Sequence, residues 1–539
     1  MFFATFFPYL QRQHSFSWAD LNGAWRAHHD LLRVALSRNI VDEAHLFISG
    51  LAQSDQVPTG RGAQGSLREL SQEFGENRIR IKNGAELPLV TAKNDYIFVE
   101  KAPALYRLAH ARLAIGKGAY PICSLVNSVC FRDMLNSFIA ILTAAEPQDA
   151  LVITSDAGFK AVKEALGQAE DFLRDQHLGI SKDEVNVVKI PLAVEDGTFG
   201  SLDRGFCRRM LGLPIQSTVL LYLGRFSDEY KADLEPLLLA FRELAGTESD
   251  LLLVLAGQDV ENRYSKHLEN LADDLDVGTR VKVIVNFPPA LKPIVYGAGD
   301  IFISPADNIE ETFGLAILEA MASGLPVVCS DWSGYRDSVL HEKTGFLVPT
   351  LWNEAAAEVL SWLAPTSENP TAEAYLARRT VVNVARLTAY LRALAENEEL
   401  RKRLGAAGRQ RVLEFFTWDQ VIKRYGELWR EQIKMSRVQQ KKSAPAIHLD
   451  FNRIFSHYAS DKIGLSTVIR SSGPGRAIAT GPKEGALGLS SAGFSREFVK
   501  EALRILEICA QPTTIKANSG RRRLLRLRGG SMVTEEGPL

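Results

Sequence analysis

The stretch DIFISPADNIEETFGLAILEAMASGLPVVC, from Asp300 to Cys329, settles the architecture. Residues 300–304 are a short run rich in Ile and Phe, of the kind that forms a buried strand. A polar loop from Pro305 to Glu310 follows. From Leu315 the apolar residues recur with helical spacing as far as Ser323, Gly324 stops the helix, and Pro326 lies just beyond. Residues 327–329 then read as a second strand. A strand, a crossover helix and a further strand in succession form the unit of a parallel sheet covered by helices.

The same alternation extends upstream. Residues 218–223 are a β-rich run ending in Gly224, 234–244 are amphipathic and helical, 251–255 are a strand running into Ala256-Gly257, and 282–285 are another strand. The amino-terminal half repeats the theme less clearly. Strands are expected at 2–7, 44–49, 150–154 and 185–191, helices at 24–37 and 157–173, a polar loop at 53–65 and an apolar run at 119–129. Residues 191–197 have linker character, which places a boundary near 193–215. The expectation is therefore an α/β protein with two doubly wound domains, 1–200 and 201–372. A helical segment (373–440) and a polar break (441–445) follow. The remainder of a 441–539 extension has Gly-rich turns, one good helix (496–508) and a basic tail with Arg521, Arg522, Arg523, Arg526 and Arg528.

Composition narrows the chemistry. At 539 residues and roughly 150 residues per domain, two to four domains are expected. Apolar residues are 46% and charged residues 24%, ordinary for a globular enzyme. The net charge of −1 gives no global case for nucleic acid, so any anion site must be built locally. Five scattered cysteines without a C-x-x-C pair argue against a disulfide framework or a zinc site and for reduced thiols in the cytoplasm. The start, MFFATFFPYL, has no basic n-region and no small-residue cleavage site, so it does not read as a signal peptide. The apolar stretch 134–145 is well short of the roughly 20 residues that span a bilayer. A soluble, cytoplasmic protein is expected. The arginine cluster reads first as a solvated tail, with peripheral contact to the inner face of an anionic membrane as its alternative.

The chemistry gathers at helix 315–323. A helix start presents free N–H groups and the positive end of a dipole, and Gly314 lets a ligand come close to that backbone, so a diphosphate suits the turn at Phe313, Gly314 and Leu315. Glu319 lies further along the helix, where a carboxylate can accept from two neighbouring hydroxyls; Glu311 precedes it. Either glutamate alone reads as a dipole-compensating or surface residue. Their context is Gly224-Arg225-Phe-Ser-Asp-Glu-Tyr-Lys231, which begins where a strand ends. Arg225 can grip phosphate oxygens with its fork and Lys231 adds a point charge. Two cations and a helix N-terminus would stabilise a departing phosphate without a metal.

Taken together, Gly224-Arg225 with Lys231, the strand before Ala256-Gly257, the pair Glu311 and Glu319, then Gly334 and Thr344-Gly345-Phe-Leu-Val-Pro349, resemble glycosyltransferase family 4. The resemblance covers about 185–430 well and 1–184 weakly. It implies the GT-B fold, two facing Rossmann-like domains, with a donor nucleotide sugar in the cleft. It also implies that Arg225 and Lys231 hold the diphosphate, Glu319 the ribose hydroxyls and Glu311 the sugar, with Gly224 and the backbone at 313–315 close by. The segment Phe415-Phe-Thr-Trp-Asp419 and the helix after it resemble the family's terminal helix, which packs back on the first domain. Transfer with retention, without metal or cofactor, is what the family implies. The acceptor would be a carbohydrate, a lipid-linked sugar or a small molecule. Asn127, in Tyr120-Pro-Ile-Cys-Ser-Leu-Val-Asn127, stands where the family often has His; it can bond a sugar hydroxyl but cannot share a proton as imidazole does. The region 8–23 lacks the family's Gly-Gly pair, and Ala193 stands where Gly is frequent.

Other signals fail on context. Gly60-Arg-Gly62-Ala-Gln-Gly65 matches G-x-G-x-x-G with no strand feeding it. Asp274-Leu-Asp276 matches D-x-D within an acidic helical segment. His28 and His29 lack an acidic or nucleophilic partner in register and read as surface or interface residues. No Gly-x-Ser-x-Gly or P-loop is present. The leading expectation is a retaining glycosyltransferase. The alternative, motivated by Asn127, is a nucleotide-sugar-binding or scaffolding protein that has lost catalysis; a third reading is a phosphorylase or synthase-type glucan enzyme, and the absence of a recognisable pyridoxal-phosphate lysine argues against the phosphorylase.

Overall fold

Apolar runs separated by amphipathic helices cannot pair as hairpins, because each helix carries the chain back over the sheet and leaves neighbouring strands parallel. The computed structural model describes residues 1–6, 23–48, 70–75, 77–87, 95–101, 105–113, 115–116, 118–128, 134–177, 185–200, 202–229, 231–248, 250–259, 263–353, 376, 379–440, 468–471, 513–514 and 533–535. In the first lobe the strands are β1 (Phe2–Phe6), β2 (Glu43–Ile48), β3 (Ile79–Asn83), β4 (Tyr96–Lys101), β5 (Ile122–Val126), β6 (Ala150–Ile153) and β7 (Asn186–Lys189). They form one sheet in the order β3-β2-β1-β4-β5-β6-β7, parallel throughout. Helices α1 (Gly23–Ser37), α2 (Leu105–Leu113), α3 (Met134–Ala144) and α4 (Asp156–Asp175) accompany them. Strands β3 and β4 were not anticipated, because Arg80 and Lys82 interrupt the apolar run of β3 and that of β4 is only four residues long before Glu100 and Lys101.

His28 departs from the surface reading. It is buried on α1, its Nε2 lies 3.1 Å from the Val99 carbonyl oxygen, and its ring meets Phe3 edge-on at 6.0 Å. The helix turns that position toward β1 and β4, and the bond to Val99 satisfies the ring there.

The second lobe contains β8 (Thr218–Leu223), β9 (Leu251–Gly257), β10 (Val281–Val285), β11 (Ile301–Ser304), β12 (Val327–Ser330) and β13 (Gly345–Val348), in the order β10-β9-β8-β11-β12-β13. Its helices are α5 (Arg204–Leu211), α6 (Glu235–Ala245), α7 (Tyr264–Asp274), α8 (Lys292–Ala298), α9 (Leu315–Ala322) and α10 (Tyr335–Ser338). Asp300 fixes the central pair of strands: its carboxylate accepts from the Val219 N–H at 2.7 Å and from Arg208, which is itself buried. Removing one partner of such a buried pair typically costs about 3–5 kcal/mol. Asp274 closes α7, and Asp276 takes the left-handed conformation at φ 60° in the turn beyond it. Strands β14 (Thr350–Trp352) and β15 (Thr380–Val382) pair antiparallel.

The expected 373–440 segment divides. On α11 (Val384–Glu396) and α12 (Glu398–Phe415), Leu387, Leu391, Leu394 and Leu404 join the core of the second lobe. Of these three helices it is α13 (Trp418–Gln440) that lies on the first lobe. There Gln432 donates to the carbonyls of Ile122 (3.0 Å) and Gln148 (2.9 Å), and the buried Trp429 meets Phe3 edge-on at 5.8 Å. The chain's two crossings between lobes touch: Val194 N–H donates to Phe416 O at 2.9 Å and Trp418 N–H to Val194 O at 3.2 Å.

Residues 447–539 belong to a separate compact unit. Its described residues are the antiparallel strands β16 (Val468–Ser471), β17 (Thr513–Thr514) and β18 (Val533–Glu535). The helix expected at 496–508, the arginine cluster, the loop with Gly60–Gly65 and nearly all of 8–23 lie outside the described residues. Among those described, no helix is long and apolar enough to cross a membrane.

Candidate functional site

The second sheet grows from β8 outward through β9 and β10; the chain then returns to place β11 on the other side of β8. Where strand order reverses in this way, the loops at the carboxyl ends diverge and leave the position at which open α/β sheets bind ligands. The two loops concerned are 224–234 after β8 and 305–314 after β11. They carry the second-lobe residues expected to bind the donor, apart from Leu315 and Glu319 on α9.

The first loop is shaped by glycine. Gly224 N–H donates to Ala256 O at 3.0 Å, and a Cβ on Gly257 would lie 1.6 Å from Gly224 O, so the strand ends close up because position 257 has no side chain. Phe226 N–H donates to Gln258 O at 2.8 Å, and the Lys231 and Ala232 amides fold back on Ser227 O at 3.0 and 3.1 Å. Arg225 is exposed, and its guanidinium has no hydrogen-bonding or ion-pair partner among the described residues. Lys231 instead pairs with the buried carboxylate of Glu311. The two loops are braced twice more: Asn308 Nδ2 donates to Glu229 O, and the Asp233 N–H donates to Asp307 at 3.2 Å.

Gly314 starts α9 in the left-handed conformation (φ 91°, ψ 65°), and a Cβ there would lie 2.3 Å from the Tyr335 ring. Both conformation and space therefore require glycine. The Leu315 and Ala316 amides reach no carbonyl among the described residues, as first-turn donors of a helix do not. Phe313 is buried beside this turn.

Glu319, on the same helix, is only 2% exposed. Lys292 Nζ lies 3.0 Å from each carboxylate oxygen, and the Tyr296 hydroxyl donates to one of them at 2.8 Å. A carboxylate offers about four acceptor positions, and Lys292 and Tyr296 take three of them. Lys292 and Tyr296 were not found from the sequence. The available signal was a lysine opening α8, where the helix dipole disfavours a cation unless a carboxylate compensates.

The first lobe meets this site through the carboxyl ends of its strands. Thr312 Oγ1 donates to the Asn127 carbonyl at 2.6 Å, and Ser128 Oγ donates to Glu310 at 2.9 Å. Asn127 Nδ2 is buried and meets no acceptor among the described residues. The Asp156 amide, at the start of α4, donates to the Asp337 carboxylate at 3.2 Å, and Lys189 bridges Asp156 (2.5 Å) and Asp337 (3.4 Å). Each lobe also holds a carboxyl that resists ionisation. Burial pushes Asp307 up to about 7, opposed by the Asp233 N–H. Burial likewise raises Glu100 to about 7, against the Phe6 N–H and the Thr5 hydroxyl that it accepts.

Residues 203–375 match the family model described as Glycosyl transferases group 1, a span that includes both loops and α9. The D-inositol 3-phosphate glycosyltransferase of Corynebacterium diphtheriae is 30% identical over 203 residues, covering 36% of this chain and 46% of that protein. The protein of the same name from Xylanimonas cellulosilytica is 31% identical over 244 residues, covering 42% and 55%. The chain thus spans about half the length of the curated relatives it matches. Among solved structures, sucrose-phosphate synthase from Thermosynechococcus elongatus is similar with a TM-score of 0.53 at 19% identity, over 80% of this chain and 99% of that one. Anabaena HepE in complex with UDP-glucose gives 0.54 at 16% identity, over 80% and 100%. At these identities the likeness bears on the fold, which is GT-B: two lobes, each built on a parallel sheet of the Rossmann type.

Proposed function

We propose that the chain is a nucleotide-sugar-dependent glycosyltransferase. It takes a sugar from a nucleotide-diphosphate donor seated on the second lobe and passes it to a sugar, glycolipid or small-molecule acceptor on the first. The single observation that carries this reading is the pair of loops at the β8–β11 reversal. They carry Arg225, Lys231 and Glu311, with Lys231 paired to Glu311, the second loop leads into the bare amides of α9, and both lie within the matched span.

Arg225 and Lys231 hold the diphosphate, the α9 amides take its oxygens, and Glu319 accepts from the ribose hydroxyls. Glu311 contacts the sugar once phosphate draws Lys231 away from it. As the bond from C1 to phosphate breaks, the electron pair leaves with the diphosphate, and the cations and helix end stabilise that charge with no metal required. The acceptor oxygen bonds to C1 on the same face, and its proton passes to the departing phosphate. Anomeric configuration is thereby retained.

Thermal-shift titration with UDP-, GDP- and ADP-glucose in the presence of a chelator tests the reading. At least one donor should stabilise the protein. Arg225→Ala and Glu319→Gln should each weaken binding roughly tenfold or more, since hydrogen bonds to charged groups contribute about 1.5–3 kcal/mol. Unchanged affinity in both variants overturns the site. Asn127 in place of imidazole motivates the second reading, a binding protein without turnover, and donor binding with no sugar transfer to any acceptor supports it.

A further inference from the structure

Glu311 sits between two residues that each reach the other lobe. On one side Glu310 receives the Ser128 hydroxyl at 2.9 Å; on the other Thr312 donates to the Asn127 carbonyl at 2.6 Å. Both first-lobe partners stand just past the end of β5, and Glu311 itself is held from its own lobe by Lys231 and through its N–H to Asn308 O at 3.1 Å. A residue whose two chain neighbours are both anchored has little freedom to shift. Gly334 shows how close the approach is: a Cβ there would lie 2.2 Å from Thr312 O and 2.8 Å from Ser155 Cβ of the first lobe.

We infer that Ser128 and Thr312 are positioning residues, a clasp that registers the Glu311 turn against the first lobe. The inference rests on the transferase reading and deepens it. Donor phosphates and ribose meet Arg225, Lys231, α9 and Glu319; of the donor's contacts only that of Glu311 with the sugar runs through the clasp, so most of the donor affinity does not depend on it. The sugar's C1 must face an acceptor held by the other lobe, and a misplacement of about 1 Å between reacting groups lowers a rate roughly a hundredfold. The clasp therefore acts on turnover.

The test uses the full chain with Ser128→Ala, Thr312→Val and their combination, alongside the conservative Ser128→Thr and Thr312→Ser. Affinity for UDP-, GDP- and ADP-glucose is measured by calorimetry. Turnover is followed as hydrolysis of the bound donor. In that reaction a water oxygen bonds to C1 as the bond to phosphate breaks, the nucleoside diphosphate leaves with the electron pair, and the water proton goes to solvent. Amide hydrogen exchange over 311–315 reports the turn directly. The expected result is a dissociation constant within about threefold of the starting protein, hydrolysis slower by about tenfold or more, and faster exchange at 311–315, all restored by the conservative pair. Where hydrolysis of the unaltered protein is too slow to follow, exchange decides alone. Retained donor binding with unchanged exchange overturns the clasp and leaves the transferase reading standing. An unaltered chain that binds none of the three donors overturns both.

Discussion

A carboxyl buried in a loop keeps its proton longer than one in water, and Asp307 is the case with a measurable consequence. Burial raises it from 3.8 to about 7. Below pH 4 it is protonated in both folded and unfolded chains. Between pH 4 and 7 the unfolded chain releases the proton while the folded one retains it, so stability falls as pH rises, by up to about 1.4 kcal/mol per unit. Above 7 the loss stays constant. Asp307→Asn keeps an acceptor for the Asp233 amide and removes the titration. Thermal melts should show the variant gaining on the unaltered protein by up to about 4 kcal/mol from pH 4 to 7 and by no more above that; a pH-independent difference would refute the assignment. Much at this level was legible. Gly224, Arg225, Lys231 and Glu311 lie beside strand ends and a helix start that local pattern reveals. Asp307, Lys292 and Tyr296 were not legible, because what distinguishes them is burial and partners supplied from elsewhere in the chain: Glu319 for two of them and the loop around Asp233 for the third.

Elements that cross closely depend on small residues at the crossing. Where α12 passes the end of α9, a Cβ on Gly405 would stand 2.1 Å from the Gly324 carbonyl oxygen. Alanine normally improves a helix by about 1 kcal/mol over glycine. Here the obstacle is backbone, which cannot swing aside, so overpacking wins. Gly405→Ala should lower stability by about 1–3 kcal/mol in urea melts. Gly408 lies one turn on, and its nearest neighbours would be 3.5 Å from a new Cβ, an ordinary contact, so Gly408→Ala should be neutral or stabilising. Equal losses at both sites would mean that helix interior rather than crossing sets the cost. Neither crossing could be read from sequence, although the helices themselves could. The run at 218–223 matches β8 because an unbroken apolar stretch ends at glycine, whereas β3 and β4 carry charges that their buried neighbours outweigh.

Several of the contacts between the lobes are polar and partly exposed. Lys189 is 40% exposed and Asp156 67%, so their cluster with Asp337 contributes no more than about 1 kcal/mol after screening. That is still enough to change an open–closed ratio by about two- to fivefold. Small-angle scattering of Asp337→Ala should give a larger radius of gyration than the unaltered chain at low salt, with the gap shrinking at 0.5 M salt as screening removes the attraction; superimposable low-salt profiles would count against the cluster. Two lobes of this type were legible because periodicity is local. Their contacts were not, since Thr312 and Asn127 stand 185 positions apart. The paired crossings at Val194 and Phe416–Trp418 bear on heredity as well as on motion. Everything from 195 to 416 departs and comes home at one seam. An interchangeable cartridge needs that seam matched together with the Thr312–Asn127 and Ser128–Glu310 contacts; on the proposed reading, a chimaera that keeps them acquires a new donor preference while the first lobe and its α13 fastening stay intact.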